Sequence, residues 1–304
     1  MSARGRTAEV PDVMQRLALA LERLETLLPT AAETDFGDAV AFRWRKRRYL
    51  GMERAALEPV RHPALIGFDD LQHVGAQKDA IRRNTEQFVR GFPANNVLLT
   101  GARGTGKSSL IRACLAAFAH DGLRLVEVDK RDLVDLAELV ALLEVRPERF
   151  IVFCDDLSFD ASEAGYKELK AALDGSVAGR SDNVLIYATS NRRHLMPEFM
   201  RDNLAAQHQE DGEVHPGEAV EERVSLSERF GLWLTFYPFR QDDYLDIVAH
   251  WLAQLGVPVS RHDDARAEAL QFALQRGSRS GRVALQFARD FAGRHQLQGK
   301  PSRR

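Results

Sequence analysis

Residues 101–108 read Gly101-Ala102-Arg103-Gly104-Thr105-Gly106-Lys107-Ser108, and they constrain this chain more than any other stretch. They follow the apolar run Val97-Leu98-Leu99-Thr100 and lead into Ser109-Leu110-Ile111-Arg112-Ala113-Cys114-Leu115, which continues as a helix. The pattern G-x-x-x-x-G-K-[ST] requires a strand that delivers the chain to a tight turn and a helix that starts at the lysine. Its glycines let the backbone curl until consecutive N–H groups face one centre, and the helix end beneath adds partial positive charge. The expected nucleotide contacts are therefore Gly101, Ala102, Arg103, Gly104, Thr105, Gly106, Lys107, Ser108 and Ser109. Lys107 would reach the β- and γ-phosphates, and the Ser108 hydroxyl would ligate Mg²⁺.

A phosphate loop of this kind sits in an α/β sheet, and the rest of the chain supplies one. Five strand-like segments occur at Val97–Thr100, Leu123–Val128, Phe150–Cys154, Val184–Ala188 and Leu232–Phe236. The first four are near-continuous apolar runs, as strands covered on both faces require, and most are separated by helical segments. This predicts a doubly wound, mostly parallel five-stranded sheet. After Pro238 the pattern turns helical over Tyr244–Leu255, Ala265–Arg276 and Val283–His295, a small all-helical C-terminal domain. Near the other end, Val13, Leu17, Leu21, Leu24 and Leu28 recur at helical spacing until Pro29. The expected organisation is an N-terminal helical extension over 1–64, a nucleotide-binding α/β domain over 65–238 and a helical lid over 239–304. Residues 201–224, rich in Asp and Glu and broken by Gly212, Pro216 and Gly217, read as a surface excursion.

The net charge of −2 gives no global pull toward nucleic acid or membrane. No stretch approaches the ~20 apolar residues of a membrane span, and the N-terminus lacks the apolar core of a signal peptide. The two cysteines, Cys114 and Cys154, lie in apolar settings without metal or redox spacing, so buried thiols in a reducing cytoplasm are expected. One local exception to the neutral charge is Phe42-Arg43-Trp44-Arg45-Lys46-Arg47-Arg48-Tyr49. It fits two readings: a nucleic-acid grip through Arg43–Arg48, or a solvated helix face whose Trp44 and Tyr49 point into the core.

A nucleotide site needs a metal partner for the loop. Phe150-Ile151-Val152-Phe153-Cys154-Asp155-Asp156 is a buried strand ending in two carboxylates. Asp155 is assigned to Mg²⁺. Asp156 suits orientation of an attacking water, against the plainer role of a helix N-cap. Val184-Leu185-Ile186-Tyr187-Ala188-Thr189-Ser190-Asn191 ends in a polar tip whose Asn191 can donate and accept, and so position water. Arg192, Arg193 and His194 follow, suited to a partner contact or to a solvated turn. Arg229, in Ser227-Glu228-Arg229-Phe230-Gly231, and Arg282, in Ser280-Gly281-Arg282, complete the set. A guanidinium aimed at transferring phosphate stabilises its charge and can come from another subunit, whereas in isolation either arginine reads as a surface ion pair. Gly165-Tyr166 is read as a helix turn that packs Tyr166.

This order of features resembles AAA+ ATPases over residues 65–295. A closer resemblance is to a bacterial family of AAA-type ATP-binding proteins known only as a domain of unknown function. It is carried by Asn95–Leu99, Gly101–Leu110, Cys154–Phe159, Ala188–Leu195 and Ser227–Trp233. The resemblance implies an AAA+ type fold, binding of ATP with Mg²⁺, ATP hydrolysis coupled to lid movement, homo-oligomeric assembly and a protein client. It makes Asn191 the first sensor, Arg229 the arginine finger and Arg282 the lid sensor, so the implied catalytic set is Asp156, Asn191, Arg229 and Arg282. In one respect the chain departs from many such motors: its acid strand ends Asp155-Asp156 rather than Asp-Glu. The shorter side chain favours slow hydrolysis, or an ATP-gated adaptor or loader that hydrolyses little.

Overall fold

The computed structural model describes residues 16–19, 36–49, 52–158, 164–174, 181–191 and 226–299. Its strands are β1 (Ala41–Tyr49), β2 (Met52–Pro59), β3 (Val97–Gly101), β4 (Leu123–Val128), β5 (Arg149–Cys154), β6 (Val184–Ser190) and β7 (Leu232–Phe236). They form one sheet in the order β2-β1-β4-β5-β6-β3-β7. Among the described residues only the β1–β2 pair is antiparallel. The helices are α1 (Gly75–Val89), α2 (Lys107–Phe118), α3 (Leu136–Glu144), α4 (Ala164–Asp174), α5 (Gln241–Gln254), α6 (His262–Gln275) and α7 (Gly281–Gly299). The mostly parallel α/β sheet and helical C-terminus implied by the AAA+ resemblance are present.

Two layers of helix cover the sheet because its strands are apolar on both sides. Val97 and Leu99 of β3 pack with Ile81 and Phe88 of α1 and with Leu110, Ile111 and Leu115 of α2. Leu98 faces the other way, into a core shared with Leu136, Leu139 and Leu143 of α3 and with Tyr166, Leu169 and Leu173 of α4. Both helices of the second layer repeat their apolar residues at three- and four-residue spacing, one stripe of an α-helix. Tyr166 is a core residue of α4, as its packing role predicts. The C-terminal helices share the first core: Ala265, Ala269 and Ala273 of α6 are small enough to let it lie close to Tyr244 and Val248 of α5 and Phe287 of α7. Cys114 and Cys154 are free, buried thiols, and burial pushes each up to about 12.

Two expectations are corrected. Among the described residues the sheet has seven strands rather than five, and the basic run at 42–49 is a strand rather than a helix face. Phe42 and Trp44 are both 1 % exposed and share a core with Phe36, Leu57 and Phe150. Two residues apart, they lie on one side of a strand but about 200° apart on a helix. Burying two such aromatics, each about 2–3 kcal/mol, outweighs the charge pattern that suggested a helix surface. The sheet therefore begins inside the segment expected to be a helical extension. Of the expected helix over 10–28, residues 16–19 are helical and the rest lie outside the described residues, as do 201–224.

Candidate functional site

Strand order brings the site together. β6 lies between β5 and β3, so the carboxyl ends of β5 and β3 are only about 10 Å apart, two strand spacings. The phosphate loop leaves β3 at that edge, the paired carboxylates leave β5 there, and Asn191 leaves β6 between them.

The loop's shape is set by close approach. Gly101 has φ +121°, and a Cβ there would sit 1.9 Å from the Phe236 carbonyl oxygen of β7. The same carbonyl accepts the Ala102 N–H at 3.2 Å. Gly106, at φ +100°, turns the chain into α2, which starts at Lys107. Lys107 is 6 % exposed, and its ammonium donates to Gly101 O at 2.8 Å, Ala102 O at 2.7 Å and Asn191 Oδ1 at 3.1 Å. All three ammonium protons are thus satisfied by the loop and by Asn191. Burial lowers the Lys107 pKa to about 8; Asp156 and Asp155 pull it back up, and Arg103 and Arg282 push it down.

Across the cleft, Ser108 Oγ donates to Asp155 Oδ1 at 2.7 Å. Thr189 Oγ1 donates to the same oxygen at 2.5 Å. Asp156 adopts φ +54°, a left-handed conformation that Asp tolerates better than most residues. Its N–H donates to Thr189 Oγ1 at 2.9 Å, and its carboxylate accepts a bond from Asn191 Nδ2. Leu157 and Ser158 continue without helical structure, so Asp156 does not cap a helix. A continuous chain therefore runs from Asp156 through Asn191 to Lys107. Thr189 is the residue that spacing did not single out: it sits within the polar tip Thr189-Ser190-Asn191, and only the neighbouring turn reveals its partners.

The C-terminal helices close the site from above. The Gly281 N–H donates to Gly104 O at 2.9 Å, and a Cβ on Gly104 would meet Ser280 at 2.8 Å. Arg282 follows at the start of α7. Residues 103–109, both carboxylates, Thr189, Asn191 and Arg282 line one cavity of about 550 Å³, with Leu71, Ile247, Trp251 and Leu285 on its apolar walls; Gly101 and Ala102, also expected at the nucleotide, do not line it. That volume and mix of walls suit a nucleotide. The donors suit the implied metal too: a hydroxyl and a carboxylate oxygen in contact are hard oxygen ligands for Mg²⁺, which takes its other ligands from phosphate and water. Among the described residues no cluster of three His, Cys, Asp or Glu could hold a metal by itself.

Arg229 is placed elsewhere. It precedes the amino end of β7, whose parallel pairing with β3 puts that end on the edge of the sheet away from the loop. The strand's five residues span about 17 Å. Arg229 Nε meets Asp174 Oδ1 of α4 at 2.6 Å. In the basic strand β1, Arg43 pairs with Glu127 at 2.8 Å and Lys46 with Asp135 at 2.8 Å, while Arg45 is exposed. The side chains of Arg47 and Arg48 lie outside the described residues, as do Arg192, Arg193 and His194. Among the described residues no helix is long and apolar enough to cross a membrane.

Residues 37–295 match a protein family described as "Protein of unknown function (DUF815)". No curated protein matches the sequence. Among solved structures, a RuvB point variant from Thermotoga maritima is 16 % identical, over 73 % of this chain and 63 % of that one, with a TM-score of 0.46. ORC1 of Aeropyrum pernix, solved in complex with DNA, is 17 % identical over 76 % and 62 %, with a TM-score of 0.49. A HORMA:CdnC:Trip13 complex of E. coli MS115-1 contains a chain 14 % identical over 73 % and 89 %, with a TM-score of 0.44. The match thus spans less than two thirds of the RuvB and ORC1 chains.

Proposed function

The chain belongs to the DUF815 family, and we propose that it is a Mg²⁺-dependent AAA+ ATPase. The observation that carries this reading is the convergence of Lys107, Ser108, Asp155, Asp156, Asn191 and Arg282 on one cavity. The loop amides and Lys107 bind the phosphates, and Lys107 exchanges its carbonyl partners for them. Ser108 and Asp155 hold the metal, which when bound neutralises charge on the triphosphate. Asp156 and Asn191 place the attacking water, and Asp156 accepts its proton. Arg282 adds positive charge from α7. Because Gly104 is bonded to Gly281 and packed on Ser280, a shift of the loop on nucleotide binding is passed to residues 239–304, which act as the lid of the 65–238 domain.

Arg229 is on the wrong edge to serve its own phosphates, which supports a role on a neighbour's nucleotide and hence a homo-oligomer. The two buried free thiols suit a reducing cytoplasm. ATP binding and turnover test the reading. Lys107→Ala should weaken ATP binding by about 2–5 kcal/mol, and Asp156→Asn should bind ATP while turnover falls about 100-fold. Full ATP affinity in Lys107→Ala would sink the proposal. In mixed assemblies, wild-type subunits should restore activity next to Arg229→Ala; failure to do so would refute the in-trans role.

A second reading, an ATP-gated adaptor on nucleic acid, draws on one observation. β1 pairs with β4 only through residues 41–43 and then runs on to Tyr49, toward the edge that bears the nucleotide site. Binding to DNA that falls steeply with salt, with hydrolysis slow in its presence and absence, would favour this reading.

A further inference from the structure

We infer that Thr189 is the positioning residue of the metal site: its one hydroxyl fixes Asp155 and Asp156 relative to each other, and so sets both the Mg²⁺ ligand and the water-orienting carboxylate. The inference rests on the ATPase reading for the roles of those carboxylates, but the juxtaposition stands without it.

The proton assignment follows from chemistry. The Asp156 N–H can only donate and the Asp155 carboxylate can only accept, so the single Thr189 hydroxyl proton must point at Asp155. The hydroxyl is then used on both sides. Thr189 is 1 % exposed, so water does not compete for it. The same strand end anchors the turn twice more: the Leu157 N–H donates to Thr189 O at 2.7 Å, and Ser190 Oγ donates to Leu157 O at 2.7 Å. These bonds hold Asp156 in its left-handed conformation, with its carboxylate on Asn191.

Ser108 and Thr189 differ in one respect. Both donate to Asp155 Oδ1, but a Ser108 oxygen that ligates a cation does so through a lone pair and is shared with the metal, whereas Thr189 Oγ1 meets only Asp155 and the Asp156 N–H. The Thr189 bond competes with nothing. It joins Asp155 to Asp156, which the Ser108 bond does not, while Oδ2 carries no hydrogen bond among the described residues. Thr189 lines the cavity, but its hydroxyl is engaged by Asp155 and the Asp156 N–H, so it acts through the two carboxylates.

The test uses the full-length protein and two variants, Thr189→Val, which keeps the shape and removes the hydroxyl, and Thr189→Ser, which keeps the hydroxyl and removes the methyl. Three readouts are taken: ATP affinity in excess EDTA, Mn²⁺ affinity in the presence of ATP by electron paramagnetic resonance, and the Mg²⁺ dependence of turnover. Thr189→Val should keep the EDTA affinity, and its Mn²⁺ affinity should weaken about 10-fold or more, with Thr189→Ser restoring it to within about 3-fold. Where turnover is measurable, kcat should fall about 10-fold or more in Thr189→Val with little change in the KM for ATP. Wild-type Mn²⁺ affinity in Thr189→Val would overturn the inference. So would equal losses in both variants, which would assign the effect to packing. An inert wild-type protein whose Mn²⁺ affinity still responds to Thr189→Val would refute the ATPase reading and leave the positioning role in place.

Discussion

The phosphate loop and strand β1 are both basic, and they place their charge differently. In the loop, Lys107 is bonded to two carbonyls and an amide oxygen, and Arg103 and Arg282 join it around one cavity. In β1, Arg43 and Lys46 are matched by Glu127 and Asp135 of the same chain. A cation bonded only to neutral groups can exchange them for phosphate with little loss, whereas one already paired with a carboxylate must first give up that partner. Charge count alone ranks β1 above the loop; geometry reverses the ranking.

The strongest way to break that contrast is Lys107→Ala, which should lower ATP affinity by about 2–5 kcal/mol in a calorimetric titration. Gly101→Ala tests the backbone rather than the charge. At φ +121° and 1.9 Å from Phe236 O, the added methyl should cost about 3 kcal/mol of stability, read as the unfolding midpoint in denaturant. The buried lysine also predicts a pH dependence. ATP prefers protonated Lys107, whose pKa in the free protein is lowered to about 8. Affinity should therefore be flat below pH 8 and weaken about tenfold per unit above it, about 1.4 kcal/mol each, until the higher pKa of the bound state is passed. Titrations from pH 6.5 to 9.5 with wild type, and with Lys107→Arg as the non-titrating control, check the sign. The smallest effect belongs to β1: Arg43→Ala should change stability by less than about 1 kcal/mol, because its ion pair with Glu127 is solvent-exposed. It should leave ATP affinity unchanged. A large loss of DNA binding in Arg43→Ala would overturn the contrast and favour the adaptor reading.

Much of this was legible in the chain. Strands β3 to β7 appear in the sequence within a residue or two of their true ends, most clearly β3, β5 and β6, because strands buried on both faces leave little room for polar residues. The hairpin was not, because its alternation of Phe42, Arg43, Trp44 and Arg45 is short and lies inside a run whose net charge dominates a composition-based reading. Helix α3 was not delimited either, since Leu136, Leu139 and Leu143 show their periodicity only once Leu133 and Val134 are assigned to the 3-10 turn that precedes them. Within the site, Lys107 and Ser108 were fixed by spacing and Asp155 by its place at a strand end. Thr189 was not, because a threonine near a strand end is common and its partners are 33 and 34 residues away.

By itself the sequence determined the strand–loop–helix around Gly101–Ser108, the acid-tipped strand and the polar tip at Asn191, since each depends on neighbours within one element. Only the tertiary structure decided that β6 lies between β5 and β3, that Thr189 joins the two carboxylates, and that Arg229 stands on the far edge against Asp174. The physical reason is strand order. Which side chains meet across a sheet depends on long-range pairing and crossover connections, and no local period in the chain records them.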